Sequence, residues 1–278
     1  MSFKTLCLGV SLAAVALAGA ANANQLEDIK ARGELRCGTF ADVPPFAAPD
    51  PASRELVGFD VDLCRGIAEK LGVTASITPL SVEARVPEVR LGNVDVTVAN
   101  LAYTLSRAEQ IQYSDPYYMA REMVAVRADD PATTKAELSG QRLASTKGST
   151  SELSIRQNGS DPLTFQDTGS AFMAVQQNRA RGIVANTMTI TKLVNESQTR
   201  GVPMRMIEDP MIFQPIGVGM KKDEPELLEA VNAALHALDE EGKINEYWNR
   251  WLGPDTEYKM TRNDRVVALD ELEFEPIP

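Results

Sequence analysis

Strand-like and helix-like segments alternate along this chain, and the alternation runs twice. Residues 33–40 (GELRCGTF) read as a short strand. Residues 60–71 (DVDLCRGIAEKL) repeat Leu63, Ile67 and Leu71 at four-residue spacing and stop at Gly72, the pattern of a helix and its terminus. Strands at 73–78 and 94–99 flank a short helix at 83–91. The series restarts after Arg127, where strands at 142–145, 163–165 and 182–185 alternate with helices at 149–156, 170–177 and 189–196. Alternation of this kind pairs strands in parallel through right-handed crossovers. Each series is therefore predicted to build one doubly wound α/β unit.

Two apolar runs, 123–127 (MVAVR) and 216–220 (IGVGM), flank the second unit and are expected to be linking strands. A final helix at 225–240 carries Leu227, Val231, Leu235 and Leu238 on one face and is expected to return to the first unit. The predicted fold class is thus α/β, with two doubly wound lobes joined by two hinge strands. Residues 24–125 and 218–253 would form a discontinuous first lobe and 126–217 the second, with a cleft between them. The tail, 254–278, is acidic and proline-punctuated and carries no assigned role.

Residues 1–23 (MSFKTLCLGVSLAAVALAGAANA) have a basic Lys4, a short apolar run at 6–18 and an A-x-A ending at Ala23. That is the layout of a secretory signal peptide, too short to span a bilayer. Lys4 is its only charged residue, so its removal moves the formal charge from −11 to −12. No cysteine stands at the cleavage point, so no lipid anchor is expected. The exported chain keeps Cys37 and Cys64. An oxidising compartment permits a bond between them, and two buried thiols are equally compatible with the sequence.

Composition narrows the chemistry. Twenty-eight basic against 39 acidic residues leave no basic face for nucleic acid. The single histidine, His236, lies on the 225–240 helix and reads as a surface or half-buried residue. It leaves almost nothing for imidazole catalysis or a His-rich zinc site. Asp60 and Asp62 read as first-turn helix acids rather than metal ligands. No G-x-S-x-G, P-loop or C-x-x-C occurs. Neither a cofactor nor a metal is expected.

Ligands in open α/β sheets bind beyond the carboxyl ends of strands, so the residues that follow each strand are the candidates. After 94–99, Thr104 can cap a short helix with Arg107 in its first turn. A cation there opposes the helix dipole unless an anion shares the site; an ion pair with Glu109 or Asp115 is the purely structural alternative. After 142–145, Gly148 permits close backbone approach, and Ser149 to Glu152 spell a capping box. After 182–185 come Asn186 and Thr187, an amide that can donate and accept, or simply a turn. Phe40, Val43 and Phe46 follow the first strand as pocket walls or core.

These stretches together resemble family 3 of the extracytoplasmic solute-binding proteins, the polar amino-acid type that serves ABC transporters. The resemblance rests on GELRCGTFADVPPF (33–46), VGFDVDLCRGIAEKLGV (57–73), ARVPEVRLGNVDVTVAN (84–100), YTLSRAEQIQYSDPYY (103–118), STKGSTSE (145–152), the run 165–178, and VNAALHALDEEGKINEYWNRWLG (231–253). It implies a periplasmic, monomeric capture protein that holds an amino acid or related small carboxylate and delivers it to a membrane permease. By that resemblance Arg107 clamps the ligand's α-carboxylate, and Asn100 and Ala102 offer backbone groups beside it. Ser149 and Thr150 donate to the same carboxylate from the second lobe, and Arg85 reaches the ligand side chain or serves a structural ion pair. Four positions depart from the family pattern. Asn186 stands where an ammonium-pairing Asp is usual. Ala102 and Val82 replace a frequent threonine and an aromatic. Phe40 stands where binders of acidic ligands carry another arginine. An enzyme resembling cyclohexadienyl dehydratases is the alternative on this fold, and presentation of a ligand to a receptor is another. A dehydratase needs a proton donor in the cleft, which Asn186 does not supply.

Overall fold

A computed structural model describes residues 24–278; the leader expected over 1–23 lies outside the described residues. The chain opens with α1 (Gln25–Arg32), capped by the Asn24 side chain, and β1 (Glu34–Phe40). A tiny hairpin of β2 (Ala48–Pro49) and β3 (Leu56–Val57) follows, then α2 (Phe59–Lys70), β4 (Thr74–Leu80), α3 (Arg85–Arg90), β5 (Val96–Ala102), α4 (Leu105–Ala108) and β6 (Gln112–Tyr113). The crossing strand β7 (Tyr118–Arg127) leads to β8 (Arg142–Thr146), α5 (Thr150–Gln157), β9 (Asp161–Phe165), α6 (Thr168–Gln176), β10 (Gly182–Asn186) and α7 (Thr187–Thr199). The long strand β11 (Met204–Met220) returns to α8 (Pro225–Glu240) and α9 (Lys243–Leu252).

Among the described residues, nine strands make one mixed sheet in the order β4-β1-β5-β11-β7-β10-β8-β9, with β6 beside β11. At one end β1 runs parallel to β4 and β5; at the other β8 runs parallel to β9 and β10. Between them β7 and β11 pair antiparallel to each other and to their outer neighbours β10 and β5. The two lobes are thus halves of one ribbon that narrows to two crossing strands.

The linking strands are longer than the expected runs of five. β11 spans 17 residues and β7 spans 10. The pairing of β11 with β7 shifts register between Ile207 and Ile212. Pro210 falls in that gap and has no N–H for the ladder. Lys135 Nζ takes up the freed carbonyls of Pro210 and Met211 at 2.7 and 3.2 Å. The helix at 225–240 is not the last. In α9, Ile244, Trp248 and Leu252 are buried at four-residue spacing.

Each lobe has apolar packing on both faces of its sheet. In the first lobe α2 buries Phe59, Val61, Leu63, Cys64 and Ile67 against β1, α8 and α9, and Trp248 meets Phe59 and Tyr118 edge-on. Val89, Val94, Leu101 and Ile111 form a smaller cluster elsewhere in that lobe. In the second lobe two clusters flank the sheet, one built on Ile183 and Ile190, the other on Leu143 and Ile155. Gly58 shows why α2 starts where it does. At φ 148° its position would put a Cβ 2.2 Å from the Phe46 carbonyl oxygen, so only glycine fits.

The tail is pinned to the first lobe. Arg262, fully buried, pairs with Asp239 at 2.6 Å and donates to the Tyr117 carbonyl at 2.9 Å. Its last residues reach α4, where the Leu105 N–H donates to the Ile277 carbonyl at 2.8 Å.

Cys37 and Cys64 are joined in a disulfide that ties β1 to α2 inside the first-lobe core, which resolves the choice that the sequence left open. The bond closes a loop across 27 positions. On chain-entropy grounds that is worth about 3 kcal/mol. Replacing both cysteines with serine is expected to lower stability by that order in urea unfolding. A change under about 0.5 kcal/mol would show the cross-link to be dispensable.

Candidate ligand-binding site

The carboxyl ends of four strands converge on the cleft. Phe40 ends β1, Asn100 lies near the end of β5, Thr146 ends β8 and Asn186 ends β10, and all four line one cavity between the lobes. Arg85, Arg107, Glu122, Ser149, Thr150 and Ser151 add to its polar wall, as do Thr168 and Thr189, and Val43 and Val82 line it with Phe40. Of the residues expected from sequence, Phe40, Arg85, Asn100, Arg107, Ser149, Thr150 and Asn186 are brought together here. Ala102 is not on the wall. Its carbonyl accepts from Arg107 Nη1 at 2.9 Å and from Tyr113 Oη at 3.0 Å, so it orients the guanidinium instead of facing a ligand.

Arg107 stands in α4, whose first turn is capped by the Thr104 hydroxyl accepting the Arg107 N–H at 3.1 Å. Its Nη2 donates to the Gly148 carbonyl of the other lobe at 3.0 Å. Among the described residues it has no acidic partner, so neither Glu109 nor Asp115 claims it; Asp115 instead bonds His236 at 2.9 Å. Two of its five N–H donors are used, and three are left for the cavity.

The cleft is closed. Besides the Arg107–Gly148 contact, Lys147 and Glu83 pair across its mouth at 2.9 Å. Gly148 has φ 73°, and a Cβ there would lie 3.0 Å from Glu83 Cγ on the facing lobe. Glycine thus serves both the turn and the close approach of the lobes.

Ser149 caps α5, accepting the Glu152 N–H at 3.2 Å while donating to the Thr146 carbonyl at 2.6 Å. The Glu152 carboxylate turns to the Gly148 N–H at 3.1 Å, one residue before the position a capping box uses. The Ser149 hydroxyl is therefore committed. The free donors of this helix start are the Thr150 and Ser151 N–H groups, which have no intrahelical acceptor, and the buried Thr150 hydroxyl.

Asn186 caps α7, its Oδ1 accepting the Met188 N–H at 3.0 Å. A backbone N–H can only donate, which fixes the amide orientation. The Nδ2 group is buried and finds no acceptor among the described residues. Asn186 therefore brings unpaired donors beside a neutral oxygen that already serves the helix cap.

Arg85 is buried in the first-lobe wall. Its guanidinium donates to the carbonyls of Val82 (3.0 Å) and Ala99 (2.8 Å) and stacks on Phe40, 4.9 Å from the ring centroid. Burial, with the nearby charge of Arg107, pushes it down to about 9, which leaves it cationic at neutral pH. Behind it lies Asp60, fully buried in the first turn of α2; neither carboxylate oxygen has a well-formed hydrogen bond, though the Asn100 N–H lies nearby. Burial pushes Asp60 up to about 7, against the opposing pull of the Asn100 N–H and Arg85. Asn100 itself takes a left-handed backbone, φ 43°, and its Oδ1 accepts from the Tyr118 hydroxyl.

Glu122 is the residue that sequence reasoning missed. It lies on β7, in the inward phase with Tyr118, Ala120 and Val124, while Arg121 points out. Both carboxylate oxygens are held, Oε2 by the Ser151 hydroxyl and Oε1 by Gln214 Nε2, each at 2.5 Å. Burial raises its pKa, and those two bonds with the charges of Arg107 and Arg85 oppose the rise. An acid in the buried phase of a strand was the available signal.

Among the described residues no cluster of His, Cys, Asp or Glu is arranged to hold a metal, and no helix is long and apolar enough to cross a membrane.

Lobes that meet over a polar cleft define a class that closes around small solutes, and comparison with known proteins narrows it. Residues 35–254 match the model of bacterial extracellular solute-binding proteins, family 3, and the chain belongs to that family. It is similar to the ABC transporter glutamine-binding protein GlnH of Bacillus subtilis (24% identical over 236 residues, 83% of this chain and 85% of that one). It is also similar to ABC transporter arginine-binding protein 1 of Escherichia coli (25% over 221 residues, 78% and 90%). A crystal structure of a mutant ArgBP from T. maritima superimposes with a TM-score of 0.74 at 28% identity, covering 82% of this chain and 98% of that one.

The buried acid behind the site has a readable consequence. A folded-state pKa near 7 lies above the ordinary aspartate value of 3.8, so the folded chain keeps this proton after the unfolded chain has lost it. Its contribution therefore turns unfavourable as pH rises from about 4 to about 7. Over that interval the protein is expected to lose stability relative to Asp60→Asn, by at most about 4 kcal/mol. Parallel urea midpoints for the two across the range would refute this.

Proposed function

We propose that this chain is an exported capture protein that closes its two lobes on an amino acid or a related small carboxylate and hands it to the permease of an ABC transporter. One observation carries the reading. Arg107 of the first lobe and the donor-rich start of α5 in the second lobe face the same buried cavity. A carboxylate there receives the free guanidinium donors from one side and the Thr150 and Ser151 N–H groups from the other. Only the closed form offers both sets, so the ligand favours closure by its differential affinity.

The space between the lobes measures about 60 Å³. The contacts of Arg107 with Gly148 and of Lys147 with Glu83 hold the lobes together over it, and opening about β7 and β11 admits a ligand. Arg85 and Phe40 wall the side-chain end, and the Asn186 amide adds donors from the second lobe. The family assignment and the relatives' names support capture over the dehydratase alternative. An extracellular family and the leader pattern at 1–23 support a periplasmic location, and a monomer suffices because one chain supplies every wall.

A thermal-shift screen of amino acids and small carboxylates is expected to return at least one ligand that raises the melting temperature by mass action. Arg107→Ala is expected to abolish that shift, a loss of about 100-fold or more in affinity by calorimetry, with the melting temperature of the ligand-free protein little changed. Retained affinity in the variant would remove Arg107 from the site.

A further inference from the structure

We infer that Glu122 takes the ammonium of a zwitterionic ligand, so that the site selects α-amino acids over carboxylates that lack the amine. The inference rests on the reading above, that a ligand's carboxylate sits between Arg107 and the start of α5.

Asn186 is a poor partner for the ammonium. Its oxygen is neutral and already accepts the Met188 N–H, and its Nδ2 group holds donors with no acceptor. A cation placed there meets N–H groups. The acid has moved one strand across. Asn186 on β10 and Glu122 on β7 are direct partners in the antiparallel register, so their backbones lie side by side at the same level of the sheet. Glu122 lines the same cavity.

Its local bonds place it beside the expected carboxylate. Glu122 Oε2 accepts from Ser151, the neighbour of Thr150 in the first turn of α5. The charged ends of an α-amino acid are separated by a single carbon, which matches an acid and an anion-binding helix start joined through one serine hydroxyl. An ionised carboxylate has about four acceptor positions. Ser151 and Gln214 fill two of them with neutral donors. An α-ammonium carries three donors, enough to fill the remaining positions while neutralising the charge. The wall holds both signs, Arg85 and Arg107 against Glu122, so each charged end of a zwitterion finds an opposite charge there.

The experiment pairs amino acids with their des-amino counterparts: alanine with propionate, glutamate with glutarate, arginine with 5-guanidinopentanoate. Affinities are measured by calorimetry on the wild-type protein and on Glu122→Gln. In the wild type, the pair that binds best is expected to favour the amino acid by about 100-fold. In Glu122→Gln that preference is expected to collapse to a few-fold because the amino acid binds more weakly while its des-amino counterpart does not. A wild type indifferent to the ammonium overturns the inference without any variant and leaves the capture reading standing. So does a Glu122→Gln protein that keeps the preference, or one that weakens both members of a pair equally, which is the signature of a merely structural link to Gln214 and Ser151. If no member of the panel binds the wild type, the inference falls together with the reading beneath it.

Discussion

The antiparallel ladder between β7 and β11 is the constraint on which the rest of this molecule depends. Every strand to one side of it belongs to one lobe and every strand to the other side belongs to the second. The two outer sets run toward each other along it, β5 ending at Ala102 beside Ile216 and β10 at Asn186 beside Glu122, so the residues at their carboxyl ends face one another. Phe40, Asn100, Thr146 and Asn186 meet for this reason. The same ladder carries Glu122 into the middle of the gathering, so the hinge is also a wall of the site. A chain that passed between lobes by flexible loops would lack that wall.

Much of this architecture was legible in the residues. The four-residue spacing of Leu63 and Ile67, and of Leu227, Val231 and Leu235, marks helices because a buried stripe is the only way such helices are held. The length of β11 was not legible, because Asp209, Pro210, Gln214 and Pro215 interrupt its apolar pattern. Those residues are tolerated where the register slips and where Lys135 and Glu122 supply partners, and partners of that kind are distant in sequence. The helix α9 carried its signal openly, in Ile244, Trp248 and Leu252. The start of α1 did too, in Asn24 and Leu26.

The site divides along the same line. Arg107, Ser149, Thr150 and Asn186 each follow a strand, so topology alone brings them to the cleft. What topology does not fix is which atoms remain free. The Ser149 hydroxyl is consumed by its own cap and the Ala102 carbonyl by Arg107, and the Asn186 oxygen is consumed by α7. Local hydrogen bonding therefore rewrites the chemistry of a residue after its position has been decided. Glu122 is the converse case, an acid whose position in the interior phase of a crossing strand becomes meaningful only once the partners on Ser151 and Gln214 are seen.

The paired charges of Lys147 and Glu83 join the lobes, and neither residue lines the cavity. They bear on the closed population of the free protein, and the observed dissociation constant is the intrinsic one divided by that population. Strengthening or weakening them would multiply the affinity for every solute by the same factor. Discrimination between solutes would stay untouched, since it resides in the side chains facing the cavity. Potency and selectivity are thus set by separate groups of residues, and a sensor built on this scaffold can have its working concentration range adjusted at the mouth of the cleft with its choice of analyte left as it is.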